Sequence, residues 1–229
     1  MRVATYNVHK CRGIDWKVSP ERVAAVLKEI DADAIALQEI LESQAECLAR
    51  ETGLHLTFGA ARELHGCPYG NAVLSRTIPV SSANLDLSVM GREQRFCLRV
   101  ELVLNAPRSV QLFAIHLGTS FFERRKQAAK LLSDEILGQA SVFGSRIVLG
   151  DFNEWTRGLT TEMLRQHLES SDVRLHLGRS RTYPGLTPFL HLDHIYHDRE
   201  FRLQRLRLHR SRVALLASDH LPLVADFDL

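Results

Sequence analysis

Short apolar runs alternate along this chain with longer stretches in which apolar residues recur at helical spacing. The short runs predict strands at residues 2–8, 34–37, 70–75, 78–87, 94–104, 109–117, 147–149, 172–177, 192–197, 201–210 and 222–228. Of these, Ala34-Ile35-Ala36-Leu37 and Ile147-Val148-Leu149 carry no polar position and are expected to be buried. Helices fall between them. Ser19 and Pro20 supply an N-cap and a first helical residue for a helix reaching Glu29, and Gly53 stops a second helix over 42–52. A long amphipathic helix is expected over Phe121 to Gln139, and a fourth near 158–169. Helices and strands alternate at both ends of the chain, and the middle is β-rich. That order fits neither a parallel doubly wound sheet nor an all-β sandwich. It fits two mixed β-sheets packed face to face with helices outside, an α/β (α+β) fold. No low-complexity linker, repeat or composition shift breaks the pattern, so one domain over residues 1–229 is expected.

Composition narrows the class. A hydrophobic share of 45% and a charged share of 24% are those of a globular protein with a sizeable core. No apolar run approaches the roughly 18 residues that would suggest a transmembrane helix. Arg2 to Tyr6 already reads as a strand where a secretory leader would lie, which predicts a cytoplasmic location. The four cysteines, Cys11, Cys47, Cys67 and Cys97, lack metal-site spacing and are expected to be reduced, buried thiols. A net charge of +2 argues against binding dominated by a nucleic-acid backbone. Arg199, Arg202, Arg205, Arg207, Arg210 and Arg212 crowd one segment. Alternation with Phe201, Leu203, Leu206 and Leu208 predicts a solvated strand face there.

The candidate chemistry sits at the strand ends. Six polar signatures each follow an apolar run: Thr5-Tyr6-Asn7-Val8-His9, Leu37-Gln38-Glu39, Tyr69-Gly70-Asn71, Gly150-Asp151-Phe152-Asn153, Leu192-Asp193-His194-Ile195 and Ser218-Asp219-His220. A β-sheet can gather them at one edge. Oxygen ligands for a hard cation, a paired Asp and His, and amide donors are what phosphodiester hydrolysis requires. Each motif alone has a plainer explanation. Glu39 at the end of a buried strand needs a partner, and an arginine is a commoner one than a cation. Asp151 and Asn153 also suit an Asx turn, and Asn7 suits an ordinary strand terminus. Asp193 and His220 suggest a dyad in which a carboxylate orients an imidazole. His116 at a strand terminus is a general acid, a transition-state donor or a structural residue. His191, His194 and His197 do not make a zinc site, because on a strand the middle one faces away from the other two.

Taken in order, these motifs resemble the endonuclease/exonuclease/phosphatase superfamily, the DNase I-like fold. The resemblance runs from Thr5-Tyr6-Asn7 through Gly70-Asn71-Ala72-Val73-Leu74-Ser75 and His116-Leu117 to Ser218-Asp219-His220, essentially the whole chain. It implies a four-layer α/β/β/α sandwich and cleavage of phosphate esters dependent on Mg2+ or Mn2+. By position, Glu39 would be the principal metal ligand, with Asn7 and Asp219 in or beside the metal shell. Asp151 would position or deprotonate the nucleophilic water, and Asn153 would hold a phosphoryl oxygen. His220, oriented by Asp193, would bind the scissile phosphate or act as base. His116 would stabilise the pentacovalent state or protonate the leaving group. Asn71, Arg95 and Tyr183 look like substrate-side residues. His9 stands where members resembling abasic-site endonucleases carry an acid, and those enzymes lack a histidine at the place of His116. The Tyr-Asn-Val-His opening and Arg181-Thr182-Tyr183-Pro184 are similar to compact bacterial members.

The expected activity is therefore a metal-dependent phosphodiesterase, with a nucleic acid or a phospholipid headgroup as substrate. A phosphomonoesterase acting on a soluble ester, and a binding module that keeps only the fold, are the competing classes. The loops at 9–18, 118–126, 154–158 and 179–190 are expected to surround the site. Partner proteins and oligomeric state leave no mark in the sequence.

Overall fold

The computed structural model describes residues 1–105, 108–138, 144–154, 158–170, 182–184 and 190–228. The strand expected at 172–177, Gln139, Arg181 and parts of the loops at 154–158 and 179–190 lie outside the described residues.

Two six-stranded sheets form the centre. The first has the order β11 (Arg202–Leu208), β12 (Leu223–Asp228), β1 (Arg2–Asn7), β2 (Ala34–Leu41), β4 (Cys67–Ser75) and β3 (His55–Leu64). The second runs β5 (Ser81–Asp86), β6 (Phe96–Asn105), β7 (Arg108–His116), β8 (Ser145–Asp151), β10 (Asp193–His197) and β9 (Glu169–Ser170). Both are mixed in the same way. Each has one parallel pair at its middle, β1 with β2 and β7 with β8, flanked by antiparallel neighbours. A parallel pair needs a crossover, and helices α1 (Pro20–Ile30) and α3 (Phe121–Leu131) supply it. Helices α2 (Glu42–Thr52), α4 (Leu159–Arg165) and α5 (Ala214–Ala217) complete the outer layers.

Three separate apolar cores show the four layers, and the alternation of side chains along each strand builds them. On β1 and β2, Ala4, Tyr6, Ile35 and Leu37 face the helices, packing with Val23, Leu27 and Leu48. The alternate residues Val3, Ala34 and Ala36 face the other sheet, meeting Leu112, Ala114, Ile147 and Leu149. The outer face of the second sheet turns Phe113, Ile115 and Val148 onto Leu131, Ile136 and Leu164. These strands are buried on both faces, which is why they read as continuous apolar runs. The four-layer sandwich expected from the sequence is the observed fold.

Several boundaries differ from expectation for local reasons. The α3 helix ends at Leu131 because Ser133 turns its hydroxyl onto the Lys130 carbonyl, at 2.7 Å, and the chain folds Ile136 and Leu137 back into the core. The helix near 158–169 stops at Arg165, and the chain then adds the short strand β9. The first hairpin, β3 with β4, extends the 70–75 strand back to Cys67. On the arginine-rich edge strand β11 a bulge between Leu203 and Arg205 shifts the alternation by one, so Leu203, Leu206 and Leu208 all turn inward. The arginines are left on the solvent side of a sheet edge, where charge discourages pairing with another strand. Cys11 and Cys97 are buried as expected; Cys47 is half-buried, and Cys67, at the tip of the first hairpin, is exposed. No helix among the described residues is long and apolar enough to cross a membrane.

Candidate active site

The site lies where the stripe of side chains between the sheets stops being apolar. Asn7 continues the inward parity of Val3 on β1, His116 that of Leu112 and Ala114, and Asp151 that of Ile147 and Leu149. These are the carboxyl ends of the strands in the two parallel pairs, the edge where open α/β sheets place ligands. Strand pairing sets His116 opposite Asp151, and Asp151 opposite Asp193.

Glu39 needs a special device, because simple alternation would turn it toward the helices with Ile35 and Leu37. A bulge between Leu37 and Ile40, with Glu39 itself at φ 55°, makes it the extra residue and re-aims its side chain into the cleft. Gly150 serves the neighbouring strand. Its φ is 153°, and a Cβ there would lie 1.9 Å from the Ile115 carbonyl oxygen, so only glycine lets β8 approach β7 closely beneath Asp151.

Hydrogen bonds fix how these groups are presented. The His9 backbone N–H donates to Asn7 Oδ1 at 3.0 Å, which settles the amide orientation. Asn7 Nδ2 therefore donates to Glu39 Oε1 at 3.2 Å and to Asp151 Oδ2 at 3.0 Å. In this arrangement Asn7 bridges two carboxylates and offers them N–H, not an oxygen to a cation. Lys10 Nζ holds the other Glu39 oxygen at 3.1 Å. Burial opposes the charge on Glu39, but His116 when protonated, Lys10 and the Asn7 hydrogen bond outweigh it and keep the carboxyl well below the usual carboxylate range. Asp151 is almost fully buried, and burial pushes its pKa up against the pull of His220 and His116.

The dyad read from the sequence is present. His220 Nδ1 lies 2.9 Å from Asp193 Oδ2, and its other nitrogen faces Asp151 at 3.8 Å. Burial works against a charge on His220, but Asp193, aided by Asp151 and Asp219, lifts its pKa to about 10. The imidazole is thus a cationic donor near neutral pH. Asp151, Asp193 and His220 crowd within 4.8 Å, close enough for a metal cage. Since His220 Nδ1 is committed to Asp193, that cluster is better described as a hydrogen-bonded Asp193–His220 dyad with Asp151 3.8 Å away. Glu39, Asp151 and Asp219 also line the cleft and are the oxygen donors that could hold a cation there. No thiol lines the cleft among the described residues, so the donor set suits a hard cation such as Mg2+ or Mn2+.

His116 has the opposite character. Burial, then the adjacent Arg95 guanidinium, lower its pKa to about 4, leaving it neutral at pH 7. Arg95 Nη1 lies 3.0 Å from Nδ1, and a guanidinium can only donate. Nδ1 therefore accepts and Nε2 carries the proton. Asn153 Nδ2 donates to the Leu117 carbonyl at 2.9 Å, so the amide nitrogen that approaches His116 Nε2 at 3.2 Å is also a donor. Two donors thus lie side by side, so one acceptor atom to their side can take a hydrogen bond from each; Glu39 Oε1 and Asp151 Oδ2 face Nε2 from 3.9 and 3.8 Å.

The cleft encloses about 360 Å³, and its walls include His9, Glu39, His116, Asp151, Asp219 and His220. The Tyr183 ring packs against that of His220, with centroids 4.9 Å apart and planes tilted by 47°. Asp219 lies on the wall near His9 Nδ1, at 3.5 Å. Arg95 reaches the wall with its guanidinium turned to His116 and Glu93. Asn71 does not reach this cleft; its amide donates to the Phe96 carbonyl at 3.1 Å and ties the two sheets together behind Arg95. Sequence reasoning placed Lys10 in a polar loop and missed its contact with Glu39. It also missed Tyr69, which hydrogen-bonds Glu39 from β4. The only available signal was adjacency to Asn7-Val8-His9 and Gly70-Asn71. His194 and His197 point to opposite faces of β10, His194 toward Phe152 and His197 toward Phe227, as strand spacing predicted.

Comparison with known proteins agrees with this architecture. The chain is 27% identical to the uncharacterized protein YbhP of Escherichia coli, over all of this chain and 96% of that protein. Its fold matches a mannosyl-6-phosphatase of Bacteroides thetaiotaomicron with a TM-score of 0.80 and 19% identity, each chain covered in full. It matches the human Nocturnin catalytic domain, solved with a bound sulfate anion, with a TM-score of 0.78 and 23% identity, over 100% of this chain and 94% of the other. At such identities the two structures establish the fold alone. The model of the Endonuclease/Exonuclease/phosphatase family matches residues 4–220, and the chain belongs to that family.

Proposed function

We propose that this protein is a phosphodiesterase that uses Mg2+ or Mn2+ held at Glu39, with Asp219 beside it. The observation that carries the reading is the side-by-side placement of two neutral donors, His116 Nε2–H and the Asn153 amide, near a cationic His220 and a buried Asp151. A phosphoryl oxygen set to the side of both donors can accept from each. A bound cation would add Lewis-acid charge at the phosphoryl group and the departing oxygen. Asp151, its pKa raised by burial, accepts the proton of the attacking water. His220, held cationic by Asp193, donates to a phosphoryl oxygen and stabilises the negative charge that grows there. Asn153 and His116 hold a further oxygen, and Tyr183 packs against the His220 ring to fix its plane. On this reading Asp151, not His220, is the base. Asn7 acts as the bridge that keeps Glu39 and Asp151 together.

The charge inventory favours a diester over a monoester. A monoester dianion needs more positive charge than a diester monoanion. Among the described residues Arg95 is the one arginine or lysine on the cleft wall, and it is already engaged with His116 and Glu93. Relative rates with bis-p-nitrophenyl phosphate and p-nitrophenyl phosphate test this: faster diester turnover supports the reading, and faster monoester turnover replaces it with a phosphatase. The mannosyl-6-phosphatase among the structural relatives makes that second outcome concrete.

A phospholipid headgroup is the substrate class favoured by a separate observation. Trp16, Met90 and Phe122 are each at least 70% exposed; Trp16 and Met90 sit on loops and Phe122 in the first turn of α3, on three segments leaving the same sheet edge as the site. Aromatic and thioether side chains displayed around a polar cleft suit a lipid–water interface. Co-sedimentation with phosphatidylglycerol vesicles, lost in Trp16→Ala/Phe122→Ala, supports this class; equal recovery with and without vesicles turns the search to nucleic acids and soluble diesters.

A further inference from the structure

The turn after β1 is unusual in its backbone. His9, Lys10 and Cys11 have φ of 46°, 60° and 53°, the only run of three left-handed residues among those described, and none is glycine. Each such residue costs roughly 1–2 kcal/mol. The surrounding chain holds the turn from several sides. Gln44 Nε2 donates to the Lys10 carbonyl at 2.7 Å, while its oxygen accepts the Leu41 N–H. The Ser19 N–H donates to the Cys11 carbonyl at 2.8 Å, and the Cys11 side chain is buried in the helix-side core. This forced turn delivers Lys10 Nζ to Glu39 Oε2, in an ion pair in which both side chains are mostly buried. The other oxygen, Oε1, takes the Asn7 amide.

We propose that Lys10 caps one oxygen of Glu39 and thereby sets which cation the site accepts. The inference rests on the reading of Glu39 as the cation ligand. An ammonium on Oε2 repels a cation, whereas Oε1 meets only the neutral Asn7 amide and keeps a lone pair, so Glu39 offers a cation one oxygen and not both. Mg2+ is content with one oxygen from each carboxylate in a small octahedral shell, whereas Ca2+ takes 6–8 oxygens and gains from a carboxylate bound through both. Lys10 therefore discriminates against Ca2+, and its charge weakens the site for every divalent cation. That keeps the ion exchangeable instead of locked in place.

Calorimetric titration of Mg2+ and Ca2+ into chelator-treated protein tests the assignment with no substrate present. Lys10→Met keeps the aliphatic stem and removes the charge; Lys10→Arg keeps the charge; circular dichroism melts confirm that both are folded. Lys10→Met is expected to bind Ca2+ at least about tenfold more tightly than wild type, through loss of the ammonium's repulsion and release of Oε2. Its Ca2+-to-Mg2+ affinity ratio is expected to rise, with Lys10→Arg close to wild type. An unchanged ratio in Lys10→Met overturns the discriminating role even if both affinities increase. Glu39→Gln separates the two levels of the account. If it loses both ions while Lys10→Met behaves as wild type, the site stands and the Lys10 role falls. If Glu39→Gln binds both ions as wild type does, the Glu39 assignment fails and takes the Lys10 role with it.

Discussion

Replacing Asp193 by Asn is the most informative single change to the proposed mechanism. Asp193 is fully buried, so the isosteric amide preserves packing and can keep an oxygen toward His220 Nδ1. What disappears is the negative charge 2.9 Å from the imidazole. That charge is the main reason His220 titrates at about 10 instead of its ordinary 6.5, because burial alone pushes the other way. Without it the imidazole should titrate near or below 6.5, opposed only by the pull of Asp151 and Asp219. A pKa that falls from about 10 to 6.5 or lower corresponds to roughly 5 kcal/mol or more of lost preference for the imidazolium. At pH 8 wild-type His220 is protonated and the variant's is mostly neutral. Loss of a charged donor to the phosphoryl group lowers kcat/KM by about 10²–10³. The diagnostic is a pH–rate profile with bis-p-nitrophenyl phosphate. The basic limb should move from near pH 10 in wild type to near pH 6–7 in Asp193→Asn, so that lowering the pH restores part of the rate. If His220 were a neutral base, the variant would instead gain activity toward acid relative to wild type. A basic limb that stays in place refutes the cationic role.

Other consequences follow from the same geometry. Arg95→Met frees His116 to accept from Asn153, so kcat should fall about tenfold or more, with KM less affected, and 15N chemical shifts should report a changed imidazole tautomer. Gly150→Ala places a Cβ against the Ile115 carbonyl at a left-handed φ, and should lower stability by about 3 kcal/mol or more in urea melts. His220 has a raised folded pKa, so its contribution to stability is complete below about pH 6.5 and is lost as the pH climbs through about 10. The urea midpoint of wild type should decline over that window more steeply than that of His220→Gln.

Much of the architecture was legible because strands buried on both faces leave continuous apolar runs, and their polar ends mark the edge of the sheet. The bulge at Glu39 was not legible. Nothing in Leu37-Gln38-Glu39-Ile40 distinguishes an extra residue from regular alternation, although the bulge is what turns the carboxylate into the cleft. The end of α3 was misjudged because Ile136 and Leu137 keep helical spacing, yet reach the core after a turn. Individual roles were harder still. Asn71 and Arg95 look equally substrate-facing in sequence, but one spends its amide on the Phe96 carbonyl and the other fixes a tautomer. Lys10 was hidden because its aim depends on three left-handed residues held by Gln44 and Ser19, contacts too distant for any local pattern.

The central claim is that Glu39 holds a divalent cation needed for diester cleavage. The most direct measurement is bis-p-nitrophenyl phosphate turnover by wild type and Glu39→Gln, first with EDTA and then after Mg2+ is restored. EDTA should abolish wild-type turnover and Mg2+ should recover it, while Glu39→Gln should stay below about a hundredth of that rate throughout. Undiminished turnover in EDTA, or wild-type rates from Glu39→Gln with Mg2+, would contradict it.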